Sequence, residues 1–194
     1  FLNSLTITGS VTLAVLFTST ITGFVFAKYR FPFKEALFML LLATMMIPSQ
    51  VTLIPSFLIV NALGLYNRLW ALIVPGLVSV FGIFLARQFI SEVPDSLCEA
   101  ALIDGCTDYG AFWRVAIPLV KPGVVATAIL AFIFSWNNFM FSQVLSMEKT
   151  RTLPIAVYNF LSYAEVDWGG VMAAAVAIMT PAIILTMIFQ KYVV

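Results

Sequence analysis

The sequence predicts an all-α integral membrane protein, a single domain over residues 1–194 that crosses the bilayer five times. Of its 194 residues, 62% are hydrophobic and only 10% are charged, whereas a soluble domain carries roughly 25% charged residues. Five long stretches contain no Asp, Glu, Lys or Arg, and a helix needs about 20 mainly apolar residues to cross a bilayer. The predicted spans cover residues 3–27, 36–60, 69–90, 123–146 and 170–192.

The distribution of Lys and Arg predicts the orientation of these spans. The loops alternate sides, and the side with more positive charge is cytoplasmic, so loop 91–122 is expected inside and loop 147–169 outside. Without an initiator Met or a cleavable signal, the segment is expected to be a fragment that lacks an earlier span. The inner set is Lys28, Arg30, Lys34, Arg87, Arg114, Lys121 and Lys191, and the outer set is Arg68, Lys149 and Arg151.

The first two spans carry hydroxyl side chains. Those of the first span can bond to their own helix or to a neighbour, and we expect helix packing there rather than solute contact. In the second span, Pro48 and Pro55 predict kinks, and Ser49, Thr52 and Ser56 are expected to share one helical face, which makes them candidates for a solute path. The hydroxyl residues of the first span are Thr6, Thr8, Thr12, Thr18, Ser19, Thr20 and Thr22.

The third span is expected to return through Pro75–Gly76 to the inner surface, where the polar loop 91–122 predicts two short helices. Ser96 and Glu99 have capping-box spacing, and Gly105 suits a left-handed helix stop. The expected surface helix carries Leu97, Ala101 and Leu102 on its docking side and Asp95, Glu99 and Asp104 nearer the other.

The second helix of this loop is expected over residues 109–116. Thr107 can cap it, Pro118 is expected to end it, and Pro122 suits the first turn of the fourth span. Cys98 and Cys106 also lie in this loop, where a reducing compartment and the absence of His make a disulfide or a metal site improbable. We expect them to act as small apolar fillers.

The fourth span repeats the polar spacing of the second, with Ser135, Asn138 and Ser142 at i, i+3 and i+7 beside Asn137. An unpaired amide in hydrocarbon costs several kcal/mol, so these side chains should face another helix or a water-filled path. Hydrogen bonding between helices and passage of a hydroxyl-rich solute remain equally open. All four are candidates for the solute path.

The outer loop 147–169 is long and aromatic, which is typical of a functional loop. Its aromatic side chains suit the membrane interface or a docked protein. The last span begins with Ala173–Ala175, which allow close helix contact, and Pro181 predicts a kink. The candidate contacts for a docked protein are Tyr158, Phe160 and Tyr163.

The sequence lacks the residues that catalysis or ion coupling would require. There is no His, no nucleophile motif and no metal-ligand spacing, which argues against an enzyme. The interiors of the predicted spans hold no ionisable side chain to relay protons, since Arg87 and Lys191 lie at the inner ends of their spans, and no glycine-rich lysine loop binds nucleotide phosphates. The sequence therefore does not predict ATP hydrolysis by this chain, and a partner would have to supply it.

One pattern identifies a family. Glu99-Ala100-Ala101, Gly105 and Val115–Pro118 closely resemble the cytoplasmic loop signature of membrane subunits in binding-protein-dependent ABC importers, with Val115 and Ile117 as conservative departures. Further short motifs resemble the carbohydrate-uptake branch, in particular the smaller membrane subunit of maltose-type permeases. These motifs are Pro48 with Pro55, Leu63-Gly64-Leu65, Trp136-Asn137, Thr152-Leu153-Pro154 and Trp168-Gly169.

The resemblance implies a type I ABC importer permease fold in a prokaryotic inner membrane, with four kinds of partner. These are a dimer of ATP-binding subunits that holds ATP and Mg²⁺, a second permease subunit, an extracytoplasmic solute-binding protein that the outer loop approaches, and the lipid bilayer. No cofactor on this chain and no nucleic acid are implied. The residues implied to couple to the ATPase are Glu99, Ala100, Ala101, Asp104, Gly105 and Pro118.

Two alternatives remain. A passive channel or a structural membrane subunit would also have uncharged spans with polar stripes. An ABC importer for another solute, such as an amino acid or a phosphate ester, would share the cytoplasmic loop. Glu99 discriminates between the first alternative and an ATP-driven importer, because only coupling to an ATPase requires its carboxylate.

Overall fold

The computed structural model describes residues 1–160 and 167–189. Every regular element in these two ranges is helical, as predicted. Short 3₁₀ turns occupy Val74–Gly76 and Val157–Phe160, and a π turn occupies Phe112–Ala116. The α-helices are α1 (Leu2–Lys28), α2 (Lys34–Thr44), α3 (Leu53–Ala62), α4 (Trp70–Ile73), α5 (Val80–Ser91), α6 (Asp95–Ile103), α7 (Asp108–Ala111), α8 (Ile117–Leu119), α9 (Lys121–Trp136), α10 (Phe139–Leu145), α11 (Leu153–Ala156) and α12 (Trp168–Phe189).

Helix α1 lies at the centre of the fold and packs against α5 and α9. Its apolar residues Ile7, Val11 and Val15 belong to one buried cluster, and Phe24 belongs to another nearer the opposite end. Its hydroxyl side chains contribute to helix packing as expected, because Thr18 Oγ1 donates to the Leu77 carbonyl oxygen of the neighbouring segment at 3.1 Å.

Two helices, α1 and α12, are long and apolar enough to cross a membrane, within the part of the chain that the structure describes. Counting each of two bent helix pairs as one span raises the number to four. The predicted count of five spans therefore stays a prediction. The end of the last predicted span, after Phe189, lies outside the described residues.

The second predicted span is interrupted, so the expectation of one kinked helix is wrong. Helix α2 ends at Thr44, α3 begins at Leu53, and the residues between them form turns that include Pro48. Pro48 has no N–H to donate to the Thr44 carbonyl and disfavours helical geometry at Ile47, so an interruption between Thr44 and Leu53 agrees with its position. Ser49 and Thr52 lie in this exposed break, so they do not share a helical face with Ser56.

The third and fourth predicted spans are also broken. The segment Trp70–Gly76 is bent by 41° from α5, and Ser79 caps α5 by accepting a hydrogen bond from the Gly82 N–H at 3.1 Å. Helix α9 ends at Trp136, and Asn138 caps α10 by accepting from the Phe141 N–H at 3.4 Å. Side-chain acceptors at both breaks supply partners to helix N–H groups that lack one in the helix.

Polar contacts gather at the two ends of the bundle. At one end, Asn3 Nδ2 donates to the carbonyl oxygens of Lys149 at 3.0 Å and Arg151 at 3.2 Å. At the other end, Lys28 pairs with Asp95. Arg87 also pairs with Glu35. The grouping follows the two charge sets that the sequence assigns to opposite sides of the membrane.

Candidate functional site

The segment α6 to α8, residues 95–119, forms a helical hairpin at the positively charged end. Helix α6 follows Pro94 and has no side-chain cap, so the predicted capping box is wrong and Ser96 lies inside the helix. The turn follows the prediction, because Gly105 has a left-handed φ of +86°. The Cys106 N–H donates to the Ala101 carbonyl oxygen at 2.9 Å, the bond of a Schellman motif.

The second arm of this hairpin is longer than predicted. Thr107 caps it as expected, accepting from the Gly110 N–H at 3.2 Å. The arm then continues past Pro118 to Leu119, so the predicted end at Pro118 is wrong. The π turn shifts the hydrogen-bond register just before Pro118, where the missing N–H would otherwise interrupt the helix. Pro122 lies in the first turn of α9, as predicted.

The two faces of α6 differ in environment. Cys98 and Ala101 are buried in a cluster with Phe112 and Ala116 of the second arm, and burial raises the pKa of the Cys98 thiol. The predicted grouping of Ala101 with Leu97 and Leu102 on one docking side is therefore wrong: Ala101 faces the chain's own core, whereas the two leucines are exposed. The exposed residues of the hairpin include Leu97, Glu99, Ala100, Leu102, Ile103, Asp104, Gly105 and Pro118.

The end of α1 holds both arms of the hairpin. Lys28 Nζ donates to Asp95 Oδ1 at 2.7 Å and to the Val93 carbonyl oxygen. Burial, together with a hydrogen bond to the Asp108 carboxylate, raises the pKa of Tyr29 to about 12. Contacts from Lys28 and Tyr29 thus connect the C-terminal end of α1 to both arms of the hairpin.

The Lys28–Asp95 ion pair gives a pH-dependent prediction. Its hydrogen bond lowers the pKa of Asp95, so its contribution is present above the usual carboxyl pKa of about 4 and lost as pH falls through the lowered folded value. Asp95→Asn should lower the melting temperature of the purified chain at pH 7 by a few degrees at most, since the Asp95 side chain is 70% exposed. The difference should shrink below about pH 4. A loss that persists at pH 3, or that Glu92→Gln reproduces, would argue against the ion pair as its cause.

A cavity of ≈ 190 Å³ lies between the N-terminal half of α1 and two helix breaks, one before α5 and one between α9 and α10. The predicted solute-path residues Ser135, Asn138 and Ser142 line it. Asn137 lies outside it and donates from Nδ2 to the Ile133 carbonyl oxygen at 3.0 Å. Ser49, Thr52 and Ser56 do not line it either. Its polar lining comprises Ser4, Thr8, Ser79, Ser135, Asn138, Ser142 and Thr152.

Four of these polar residues were not among the predicted path residues. Ser4 and Thr8 lie on α1, where sequence alone favours helix packing, and Ser79 caps α5. For Thr152, the only sequence feature that pointed to a functional role was the Thr152-Leu153-Pro154 motif. Ser4 Oγ accepts from the Leu153 N–H at 2.7 Å across 149 positions of sequence, a contact that no local pattern reveals.

The structure describes two of the three aromatic residues that were predicted as contacts in the outer loop. Tyr158 is half exposed and stacks on Phe139 with 5.6 Å between ring centroids. Phe160 is 36% exposed. The predicted contact Tyr163 lies outside the described residues.

Comparison with known proteins establishes the family. Residues 19–194 match the family described as the inner membrane component of binding-protein-dependent transport systems. The chain belongs to this family. It is 34% identical over 195 residues to the probable ABC transporter permease protein YurM of Bacillus subtilis, with 99% of this chain and 65% of that protein covered.

The names of two further relatives include a solute. The arabinooligosaccharides transport system permease protein AraQ of Halalkalibacterium halodurans is 36% identical over 183 residues, covering 94% of this chain and 65% of that protein. The sn-glycerol-3-phosphate transport system permease protein UgpE of Yersinia pestis is 28% identical, covering 98% of this chain and 69% of its own length. The chain thus spans about two thirds of the length of these relatives.

Solved structures support the fold. A chain of a bacterial ABC transporter that imports the acidic polysaccharide alginate aligns with a TM-score of 0.84 at 24% identity, covering 100% of this chain and 74% of that one. A chain of the inward-facing methionine ABC transporter MetNI aligns with a TM-score of 0.77 at 16% identity, covering 98% and 91%. At these identities, the likeness concerns the fold of an ABC importer permease.

Proposed function

We propose that this chain is a permease subunit of an ATP-driven, binding-protein-dependent importer for a sugar or oligosaccharide. The observation that carries the proposal is the hairpin of a chain that belongs to this family, with Glu99 and Ala100 exposed at the charged end of the bundle. The relatives named for arabinooligosaccharides favour a carbohydrate as solute.

The proposed importer contains this chain and several partner subunits. The exposed face of α6 docks on one ATPase of a dimer that holds ATP and Mg²⁺, and a second permease subunit forms the other half of the path. Glu99 makes a polar contact with the ATPase, and Ala100 permits close approach. Asp104, Gly105 and Pro118 shape the exposed turn and end of the hairpin, whereas Ala101 supports α6 from its inner side.

The geometry also suggests how force reaches the spans. The hairpin is held to α1 through Lys28 and Tyr29, and it joins α9 at an 82° bend. When the ATPases close, a hairpin attached at both places moves as one body and tilts α1 and α9 together. Such rigid-body motion between two packings is a known route to alternating access.

The outer aromatic residues are proposed to contact the solute-binding protein. Exposed aromatic side chains are common at protein interfaces, and Tyr158 and Phe160 lie just after α11 near the end of the bundle that the charges place outside. Tyr163 belongs to the same proposal by sequence position alone. A deletion of residues 157–163 that leaves transport intact would exclude this role.

Reconstitution tests the proposed function. The chain, its second permease subunit and its ATPase are placed in liposomes, with the binding protein and radiolabelled arabinobiose outside. Uptake should require ATP inside and the binding protein outside. Flux that is equal with and without ATP would instead indicate a passive channel, and ATP-driven uptake of glycerol 3-phosphate alone would indicate a different solute class.

A further inference from the structure

We infer that the cavity between α1 and the two helix breaks is a solute site on this chain, and that it takes a neutral polyhydroxylated solute such as one sugar unit. The inference rests on the proposed function, because it names the solute class of that importer. Its residues are the seven hydroxyl and amide side chains that line the cavity. None of them belongs to the hairpin.

The helix breaks are the first argument. Irregular backbone at membrane depth is tolerated where it is buried in protein or lines a water-filled cavity. Here Val78 and Ser79 of one break, and Asn138 of the other, line the same cavity. Two independent interruptions that open onto one space indicate a place built to expose polar groups, as broken helices do in transporters.

Thr152 is the second argument. It lines the cavity and is only 6% exposed, yet its hydroxyl finds no hydrogen-bond partner among the described residues. A buried hydroxyl without a partner is destabilising, and solute or water in the cavity can supply the missing hydrogen bond. The hydroxyl groups of Thr8 and Ser135 share one long hydrogen bond, with 3.5 Å between their oxygen atoms.

The third argument is charge. No Asp, Glu, Lys or Arg is among the described residues that line the cavity. An anion in such low-dielectric surroundings needs a paired cation, so glycerol 3-phosphate and acidic sugars find no counter-ion here. Hydroxyl and amide groups both donate and accept hydrogen bonds, which suits the hydroxyl groups of a neutral sugar.

The size of the cavity limits the solute. Ligand pockets for drug-sized molecules occupy roughly 300–1,000 Å³, whereas this one has ≈ 190 Å³. A single sugar unit of a longer chain, rather than a whole oligosaccharide, matches this volume. The rest of an oligosaccharide would lie against the partner permease.

The test measures uptake kinetics in the liposomes described above. Thr152→Val removes the unpartnered hydroxyl at nearly constant shape, and Thr180→Val is the matched control, because Thr180 is exposed on α12 and bonds its own helix. Thr152→Val should raise the KM for arabinobiose uptake about 2- to 10-fold, the effect of one hydrogen bond. The rate of ATP hydrolysis stimulated by the loaded binding protein should stay near that of Thr180→Val.

A second variant tests the charge argument. Ser142→Asp places a carboxylate in the cavity and should reduce arabinobiose uptake strongly, while the complex still assembles by size-exclusion chromatography. If ATP-driven arabinobiose uptake is normal in both variants, the cavity is not a solute site and the proposed function still stands. If the native complex shows no ATP-driven uptake at all, the proposed function fails. Native uptake of glycerol 3-phosphate in preference to arabinobiose would overturn the neutral solute class.

Discussion

Replacing Glu99 with Lys is expected to abolish the ATPase activity that the loaded binding protein stimulates. Glu99 is exposed on α6, so the change should leave the chain's own packing intact. Truncating one partner of a hydrogen-bonded charge pair in an interface costs about 2–5 kcal/mol, and charge reversal adds repulsion. The stimulated rate should therefore fall by at least about 30-fold.

The matched control for this experiment is Glu92→Lys. Glu92 is an exposed carboxylate just after α5 and just before the hairpin, so the same charge reversal is made near the hairpin but off α6. It should retain most of the stimulated rate, while both variants assemble with the partner subunits in a pull-down. An unchanged rate in Glu99→Lys would favour the passive channel or structural subunit over an ATP-driven importer.

Local signals in the sequence were enough to predict much of the hairpin. Gly105 and Thr107 act within a few residues of themselves, one through its left-handed φ and the other through its cap on Gly110. Composition was enough for the first span, because α1 is one continuous helix that is long and apolar enough to cross a membrane. The errors at Ser96 and Pro118 each moved a helix boundary by a few residues, where the bonding of one turn decides the result.

The helix breaks and the cavity could not be predicted in the same way. Hydropathy reports that a stretch is apolar, not whether its backbone stays helical, so residues 36–60 read as one span although eight of them, residues 45–52, lie outside the helices. The cavity depends on contacts between distant segments, such as the bond between Ser4 and Leu153. Ser135, Asn138 and Ser142, which the spacing in the fourth span singled out, do line the cavity, although the break between α9 and α10 separates Ser135 from Ser142.

The packing of α1 against α5 predicts a large loss of stability for Gly23→Ala. A Cβ at this position would lie 2.7 Å from the Arg87 backbone nitrogen and 2.8 Å from the Ala86 Cβ. Because one of these atoms is backbone, no side-chain rotation relieves the contact and the two helices must move apart. Overpacking of this kind typically costs about 1–3 kcal/mol, so the melting temperature should fall by roughly 3–10 °C.

Gly9→Ala is the matched control in the same helix, because a Cβ there meets nothing within 4 Å. Ala favours a helix over Gly by up to about 1 kcal/mol, so Gly9→Ala should melt at the native temperature or slightly above it. Circular dichroism of the purified chain in detergent measures both variants. If Gly23→Ala melts at the same temperature as Gly9→Ala, α1 and α5 do not approach this closely at Gly23. A loss confined to Gly23→Ala instead supports a tight contact between α1 and α5, so that a tilt of α1 in the proposed alternating-access motion would also displace α5.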